Sequence, residues 1–298
     1  DPMSFLGSKS IVFLGTPEPA ARILTDLVSA EFPVSRVVTR ADARRGRGST
    51  ATPSPVKRVA QEFGIAVQHD LVGLAESAEG SHFGIVVAYG RIIPARVLAA
   101  VPMVNVHFSL LPRWRGAAPI ERAILAGDET TGVCLMDVVE ELDAGGVFAK
   151  GEIRIGDSDA DELTDRLTRL GSQMLVDLLA GDPVAAVDQH GEITYAEKIT
   201  ADEGRIDWSA GAIAVLRRIR ALRAHTTVEG RRMIVHAALA VDRGAHGTTR
   251  PGECDDSATV ACGSGAVQLV SVQPEGKAPM DAREWRRGRR EAVISLGS

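Results

Sequence analysis

Apolar residues in the first part of the chain form short continuous runs, separated by segments with helical spacing. The runs predict strands at 10–15, 34–39, 83–89, 101–107 and 133–139. Between and after them the spacing predicts helices at 18–29, 55–63, 94–98, 117–125 and 159–179. Strands without a polar face, alternating with helices, are typical of a parallel sheet covered on both sides. We therefore predict a doubly wound, mostly parallel α/β fold over residues 3–188.

The pattern changes after residue 188. Residues 189–207 are mixed and polar, as in a linker, and 210–222 has the spacing of a short amphipathic helix. Short β-prone runs follow at 232–241, 259–262 and 266–272, with glycine-containing turns between them. Several short strands in under 100 residues predict a small antiparallel barrel over 208–298.

Charge and cysteine content narrow the functional classes. Residues 206–298 carry fourteen Lys and Arg against ten Asp and Glu, whereas the whole chain has a formal net charge of −5. A basic segment attached to an acidic one indicates, weakly, a polyanionic partner. The three cysteines are widely spaced and contain no CxxC pair, which predicts reduced, mostly buried thiols in a cytoplasmic protein. No apolar run approaches the roughly 20 residues that span a bilayer.

The turn after the first strand disfavours a dinucleotide site. It reads Gly15-Thr-Pro-Glu-Pro19, with one glycine and two prolines, which lack N–H donors for a phosphate. The chain also contains no G-x-x-x-x-G-K-[ST] motif. Nicotinamide and nucleoside triphosphate chemistry are therefore not expected.

Asn105 and His107 are the leading candidates for chemistry. They are two residues apart on a predicted strand, so their side chains share a face, near the carboxyl end where open α/β sheets bind ligands. A lone histidine is more often structural. Two polar residues at the mouth of an apolar strand, however, need hydrogen-bond partners or a substrate, and together they favour a site.

Asp143 is a third candidate, in the loop that leaves the strand at 133–139. It precedes Ala144-Gly-Gly146, a turn flexible enough to bring a carboxylate near an imidazole. From the residues alone, a turn aspartate that bonds its own backbone is the favoured interpretation.

Motifs along most of the chain resemble the methionyl-tRNA formyltransferase family. Asn105-x-His107-x-Ser-Leu-Leu-Pro112 with Asp143 resembles the signature of enzymes that use 10-formyltetrahydrofolate as formyl donor. Further similar stretches are 13–20, 86–94, 115–120, 197–200 with 206–208, and 272–277. Glycinamide ribonucleotide formyltransferase shares the Asn–His–Asp core but is shorter and has no C-terminal barrel.

The resemblance implies specific roles. Asn105 and His107 would stabilise the negative charge on the formyl oxygen, and Asp143 would orient His107 and assist proton removal. No metal is implied, and the family is usually monomeric. The family's C-terminal domain is similar to an OB barrel. The implied folate-binding residues, which act largely through backbone groups, are Ala88, Tyr89, Gly90, Arg91, Ile92, Pro94, Ser109, Leu110, Leu111, Pro112 and Leu142.

The same resemblance makes initiator methionyl-tRNA the expected acceptor. The implied RNA-binding residues lie in a basic loop and in the C-terminal part: Arg40, Arg44, Arg45, Arg47, Arg217, Arg286 and Arg287. Three alternatives stay open: a formyltransferase acting on a sugar nucleotide or another small amine, a 10-formyltetrahydrofolate hydrolase, and an RNA-binding protein with a degenerate enzyme domain.

Overall fold

The computed structural model describes residues 5–7, 9–44, 51–76, 82–241 and 250–297. The first elements are β1 (Ser10–Gly15), α1 (Glu18–Ser29), β2 (Val34–Val38), β3 (Ala43–Arg44), β4 (Ala51–Thr52), α2 (Pro55–Glu62), β5 (Ala66–Gln68), β6 (His82–Val87), α3 (Ala95–Ala100), β7 (Met103–His107), β8 (Arg115–Gly116) and α4 (Pro119–Ala126). The chain continues with β9 (Thr130–Asp137), β10 (Val147–Arg154), α5 (Ala160–Ala180), β11 (Tyr195–Ala196), the 3-10 helix η1 (Asp202–Gly204), α6 (Ala212–Ala221), β12 (His225–Val228), β13 (Arg231–Val241), β14 (Glu253–Cys254), β15 (Thr259–Ala261), β16 (Ala266–Pro274), β17 (Met280–Asp281), α7 (Ala282–Arg287) and β18 (Ile294–Ser295).

The contacts divide the chain into two compact units. One runs to Pro119 and includes Thr130–Arg154 and Leu163–Glu197; the other contains Ile120–Glu129, Ile155–Glu162 and the chain from Lys198 onward. The segment predicted as the start of a linker, 189–197, belongs to the first unit. The domain boundaries at 188 and 207 stay a prediction, since compactness alone does not show what folds independently.

The main sheet of the first unit has the strand order β10-β9-β7-β6-β1-β2-β5. The strands from β7 to β5 are parallel, and β9 and β10 add an antiparallel edge. The predicted mostly parallel sheet is therefore confirmed. From Ile11 onward β1 is apolar and buried on both faces, because helices cover a parallel sheet on each side. The strand β10 was not predicted.

The second unit contains the expected antiparallel barrel. Its strands follow the order β12-β13-β16-β15-β14-β18, and a bridge between Val228 and Leu296 connects the two edges of this sheet. Trp208, Val215, Val260 and Trp285 are among the buried residues of its core. The prediction of a second, smaller β-barrel is confirmed.

An ion pair in the second unit gives a testable dependence of stability on pH. Arg122 donates to both carboxylate oxygens of Glu203, at 2.6 and 3.2 Å, and the Thr200 N–H donates at 2.9 Å. The Arg122 guanidinium and the Thr200 amide lower the pKa of Glu203 from its usual value to about 2. In the unfolded chain the glutamate pKa is about 4.3. Because the folded pKa is lower, the ionised carboxylate stabilises the fold at pH values above about 4.3. This contribution is lost as the pH falls towards the pKa of Glu203 in the folded protein.

Glu203→Gln is therefore expected to lower the free energy of unfolding by about 1 kcal/mol at neutral pH, since the pair is only partly buried. The deficit should shrink as the pH falls below about 4, where wild type loses the same contribution. Thermal unfolding across this range measures it, with Glu152→Gln, at an exposed position of β10, as the control. A deficit independent of pH would show that the ion pair is not its source.

Candidate active site

Asn105 and His107 lie where predicted, on β7 towards its carboxyl end. Across the sheet they pair with Met136 and Cys134 of β9, so all four side chains share one face. His107 is 5% exposed and Asn105 is half-buried. Within the described residues, the Asn105 side-chain amide makes no hydrogen bond. A half-buried amide with free donors at the end of a parallel strand is suited to bind a ligand oxygen.

The imidazole of His107 is held from one side by the turn that follows β7. Its Nε2 lies 2.9 Å from the Trp114 carbonyl oxygen, and since a carbonyl only accepts, Nε2 carries a proton. The Trp114 N–H in turn donates to Thr194 Oγ1 at 2.9 Å. The other ring nitrogen, Nδ1, is the one that lies on the side of Asp143.

Asp143 comes together with His107, as the resemblance implied. Its Oδ2 lies 3.7 Å from His107 Nδ1, too far for a direct hydrogen bond but close enough for an electrostatic contact. The same oxygen accepts the Gly116 N–H at 2.8 Å. The carboxylate is therefore held by a separate segment, and the interpretation of Asp143 as a turn residue bonding its own backbone is wrong.

Gln189 and Arg115 complete the site, and neither was singled out from the sequence. Gln189 Nε2 donates to the carbonyls of Asp143 and Gly145 at 2.7 and 2.8 Å, and its Oε1 accepts from Arg115 Nε and Nη2 at 3.1 and 2.9 Å. Arg115 Nη1 also donates to Glu141 at 3.2 Å. Gln189 lies in a polar stretch without periodicity, so no sequence signal marks it.

The predicted folate segment, Ala88–Pro94, directly follows β6, the parallel neighbour of β7. Val86 pairs with Asn105, so this segment begins at the sheet edge where Asn105 lies. Ala88 and Gly90 have positive φ angles, of +46° and +73°. Most of the segment is exposed to solvent: Ala88, Gly90, Arg91, Ile92 (93%) and Pro94. Tyr89 is buried, which raises the pKa of its hydroxyl. Exposed backbone at a strand end is compatible with recognition by main-chain groups.

The other predicted folate residues flank the pair on β7. Ser109 is fully buried and its hydroxyl donates to the Arg113 carbonyl at 2.6 Å, so its side chain is not free to bind a ligand. Leu111 and Pro112 are buried across a cis peptide bond, Leu110 is half-buried, and Leu142 is 62% exposed beside Asp143.

The cations predicted to bind RNA have different surroundings. Arg40 and Arg287 are exposed; Arg44 lies on β3, and Arg45 and Arg47 lie outside the described residues. Arg217 is half-buried with its guanidinium against Gly127, at the end of α4.

Arg286 corrects one of those predictions. It is 2% exposed, and its guanidinium donates to the carbonyls of Asp255, Arg289, Glu291 and Ala292. The prediction that it contacts RNA is wrong, because its side chain is buried and its donors are satisfied within the fold.

The described residues give little support to thiol chemistry, a metal site or a membrane span. Cys134, Cys254 and Cys262 are buried free thiols, as predicted, and burial raises the pKa of Cys254 to about 12. Across the described ranges, the His, Cys, Asp and Glu side chains form no group of three or more suited to a metal ion. No helix within those ranges combines the length and apolarity needed to cross a bilayer.

Comparison with known proteins points to one enzyme family. Residues 8–179 match the formyl transferase family and residues 198–290 match the formyl transferase C-terminal domain. The chain is 42% identical to the methionyl-tRNA formyltransferase of Methylococcus capsulatus, over 97% of this chain and 99% of that protein.

Solved structures agree on the fold. HypX from Aquifex aeolicus, in complex with tetrahydrofolic acid, matches with a TM-score of 0.66 at 19% identity, over 94% of this chain. The chain spans only about half of HypX, 47% of its length. The methionyl-tRNA formyltransferase of Clostridium thermocellum matches with a TM-score of 0.56 at 17% identity, over 79% of this chain and 95% of that one. At these identities the likeness concerns the fold alone.

Proposed function

Because this chain belongs to the methionyl-tRNA formyltransferase family, we propose that it transfers the formyl group of 10-formyltetrahydrofolate to the α-amino group of methionyl initiator tRNA. The observation that carries this proposal is the convergence of Asn105, His107 and Asp143 at the end of β7. The catalytic roles of these residues, the contacts to folate and RNA, a monomeric state and a cytoplasmic location are parts of the proposal.

The reaction needs stabilisation of negative charge on the formyl oxygen. Attack of the methionyl nitrogen on the formyl carbon forms a C–N bond and moves an electron pair onto that oxygen. The Asn105 amide has free donors among the described residues and accounts for one hydrogen bond to it. His107 supplies a second from Nδ1 when the ring is protonated, since Nε2–H is held by the Trp114 carbonyl.

Collapse of this intermediate breaks the bond between the formyl carbon and the folate nitrogen, which takes up a proton. The attacking amine must lose a proton in the same sequence. Asp143 is suited to accept it, directly or through one water, because its carboxylate lies beside His107 and is 12% exposed. The amine itself needs little activation, since a free α-amine has a pKa of about 7.7–8.0.

Recognition of folate and RNA is assigned by family resemblance. The backbone of Ala88–Pro94 and of the Ser109–Pro112 turn, with exposed Leu142, accounts for a pocket that binds a heterocycle through main-chain groups. The cations Arg40, Arg44, Arg45, Arg47, Arg217 and Arg287 are the proposed phosphate contacts. Arg286 is left out of this set because it is buried.

A direct assay tests the acceptor. The purified protein is mixed with 10-formyltetrahydrofolate and methionyl initiator tRNA, and formylmethionine is sought by mass after deacylation. Parallel reactions contain glycinamide ribonucleotide, an amino-sugar nucleotide, no acceptor, or the His107→Ala variant. We expect formylmethionine from the wild type with initiator tRNA alone. Turnover only with another amine or with water would replace the proposed acceptor, and folate binding without any turnover would exclude an active enzyme.

A further inference from the structure

The Asp143 loop is held by an amide from a distant part of the chain. We propose that Gln189 is a positioning residue for formyl transfer, which fixes Asp143 against His107; this inference rests on the proposed function. Gln189 bonds the carbonyl of Asp143 itself and, two residues further on, that of Gly145. One side chain therefore sets the path of the backbone on both sides of Ala144.

We call the two hydrogen bonds from Gln189 to the Asp143 and Gly145 carbonyls the clamp. The conformation of Asp143 explains why it is needed. Its φ of +48° lies in the left-handed region, which residues with a β-carbon adopt less readily than glycine. Such conformations persist only where the surroundings determine them. Gly145 also packs closely, since a β-carbon there would lie 1.9 Å from the Asp137 carbonyl oxygen of β9. The Ala144-Gly-Gly146 turn is thus closely packed, and its glycines permit the contact.

Arg115 fixes the orientation of the Gln189 amide. Guanidinium groups only donate and carbonyls only accept, so Oε1 must face Arg115 and Nε2 must face the two carbonyls. Arg115 is 5% exposed, which excludes water as a competing partner for most of its donors. The next residue, Gly116, donates its N–H to the Asp143 carboxylate. The two residues of β8 therefore hold Asp143 at two points. Gly116 bonds its carboxylate directly, and Arg115 acts on its backbone carbonyl through Gln189.

Two substitutions separate this role from a general effect on folding. Gln189→Ala removes all the bonds, whereas Gln189→Glu keeps an acceptor for Arg115 but loses the donors to the Asp143 and Gly145 carbonyls. We expect both to lower kcat by about 10- to 100-fold, because displacement of a reacting group by about 1 Å has effects of that size. KM for 10-formyltetrahydrofolate and for the tRNA should change by less than about threefold, since Gln189 contacts neither substrate in this scheme.

Gln173→Ala is the matched control, because Gln173 also uses its amide, in a bond to Asp177 on the exposed face of α5. It should keep the wild-type kcat. Full kcat in Gln189→Glu would overturn the inference, as would a loss confined to KM.

Hydrogen exchange gives a readout that does not depend on activity. In Gln189→Ala, exchange across residues 138–147 should become at least about tenfold faster, because local opening becomes easier once the clamp is removed. Unchanged exchange in that segment would overturn the inference even if the wild type proved inactive. An inactive wild type with faster exchange in the variant would instead reject the proposed function and keep the clamp.

Discussion

Exchange of Asn105 for alanine or for aspartate is expected to lower kcat for formyl transfer by about 10²- to 10³-fold, the usual cost of losing one oxyanion donor. Alanine removes the amide, and aspartate keeps its size while replacing the N–H₂ group by an acceptor that repels a developing oxyanion. The substitution should leave the fold intact, since Asn105 is half-buried and its amide supports no hydrogen bond among the described residues.

Steady-state kinetics with saturating folate and tRNA measures this prediction. Met136→Leu is the matched control, because Met136 pairs with Asn105 across β7 and β9 and the change removes no polar group. It should alter kcat by less than about threefold. If Asn105→Asp and Asn105→Ala were both as fast as the wild type, Asn105 would not be the donor to the formyl oxygen.

The sequence offers a second readout for the same residue. Asn105 is the only asparagine in the 298 residues. Asparagine labelled with nitrogen-15 in its side chain should therefore give one N–H₂ group in an NMR spectrum, seen as two proton signals on one nitrogen. A folate analogue that carries a formyl group should shift these signals, whereas tetrahydrofolate without the formyl group should shift them much less. Equal shifts with both would place the amide near folate but not at the formyl oxygen.

The fold could be predicted where burial on both faces leaves a simple pattern. The runs of β1 and β6 are apolar and buried on both faces over most of their length, so a parallel sheet follows from them directly. β10 alternates half-buried and exposed positions at the sheet edge, with Lys150, Glu152 and Arg154 facing outwards, and this pattern also fits a polar loop. Its pairing with β9 depends on the turn between them, which the apolar pattern does not describe.

Site residues that lie close together in the sequence could be predicted, whereas those brought together from distant segments could not. Asn105 and His107 follow from strand spacing alone. Asp143 needed the family resemblance, because the register between β9 and β7 and the Gly116 N–H decide where its carboxylate lies. Gln189 and the Asp143 carbonyl are 46 residues apart in the sequence. The bridge between Val147 and Val187 brings their two segments together, and no local pattern predicts it. The prediction that Arg286 contacts RNA was wrong for a related reason. The sequence gives its charge but does not show that it is buried, as is the neighbouring Trp285.

Asp143→Asn is expected to lower kcat by about 10³-fold, within the range for loss of a general base. Asparagine keeps the size of the side chain, tolerates positive φ, and can still accept the Gly116 N–H, so the loop should hold its path. What disappears is the negative charge beside His107 and the capacity to take a proton from the attacking amine. Single-turnover formation of formylmethionyl-tRNA measures the chemical step without product release.

Asp137→Asn provides the control, because it removes a carboxylate from the same strand–loop junction. Burial raises the pKa of Asp137, and its side chain points away from the face that carries Met136 and Asn105. Its kcat should stay within about threefold of the wild type. A slow Asp143→Asn with a normal Asp137→Asn would assign the effect to the carboxylate at His107. If Asp143→Asn kept most of its rate while Asp143→Ala lost it, Asp143 would act by holding the loop and the imidazole in place, and the proton would have to leave the amine by way of solvent.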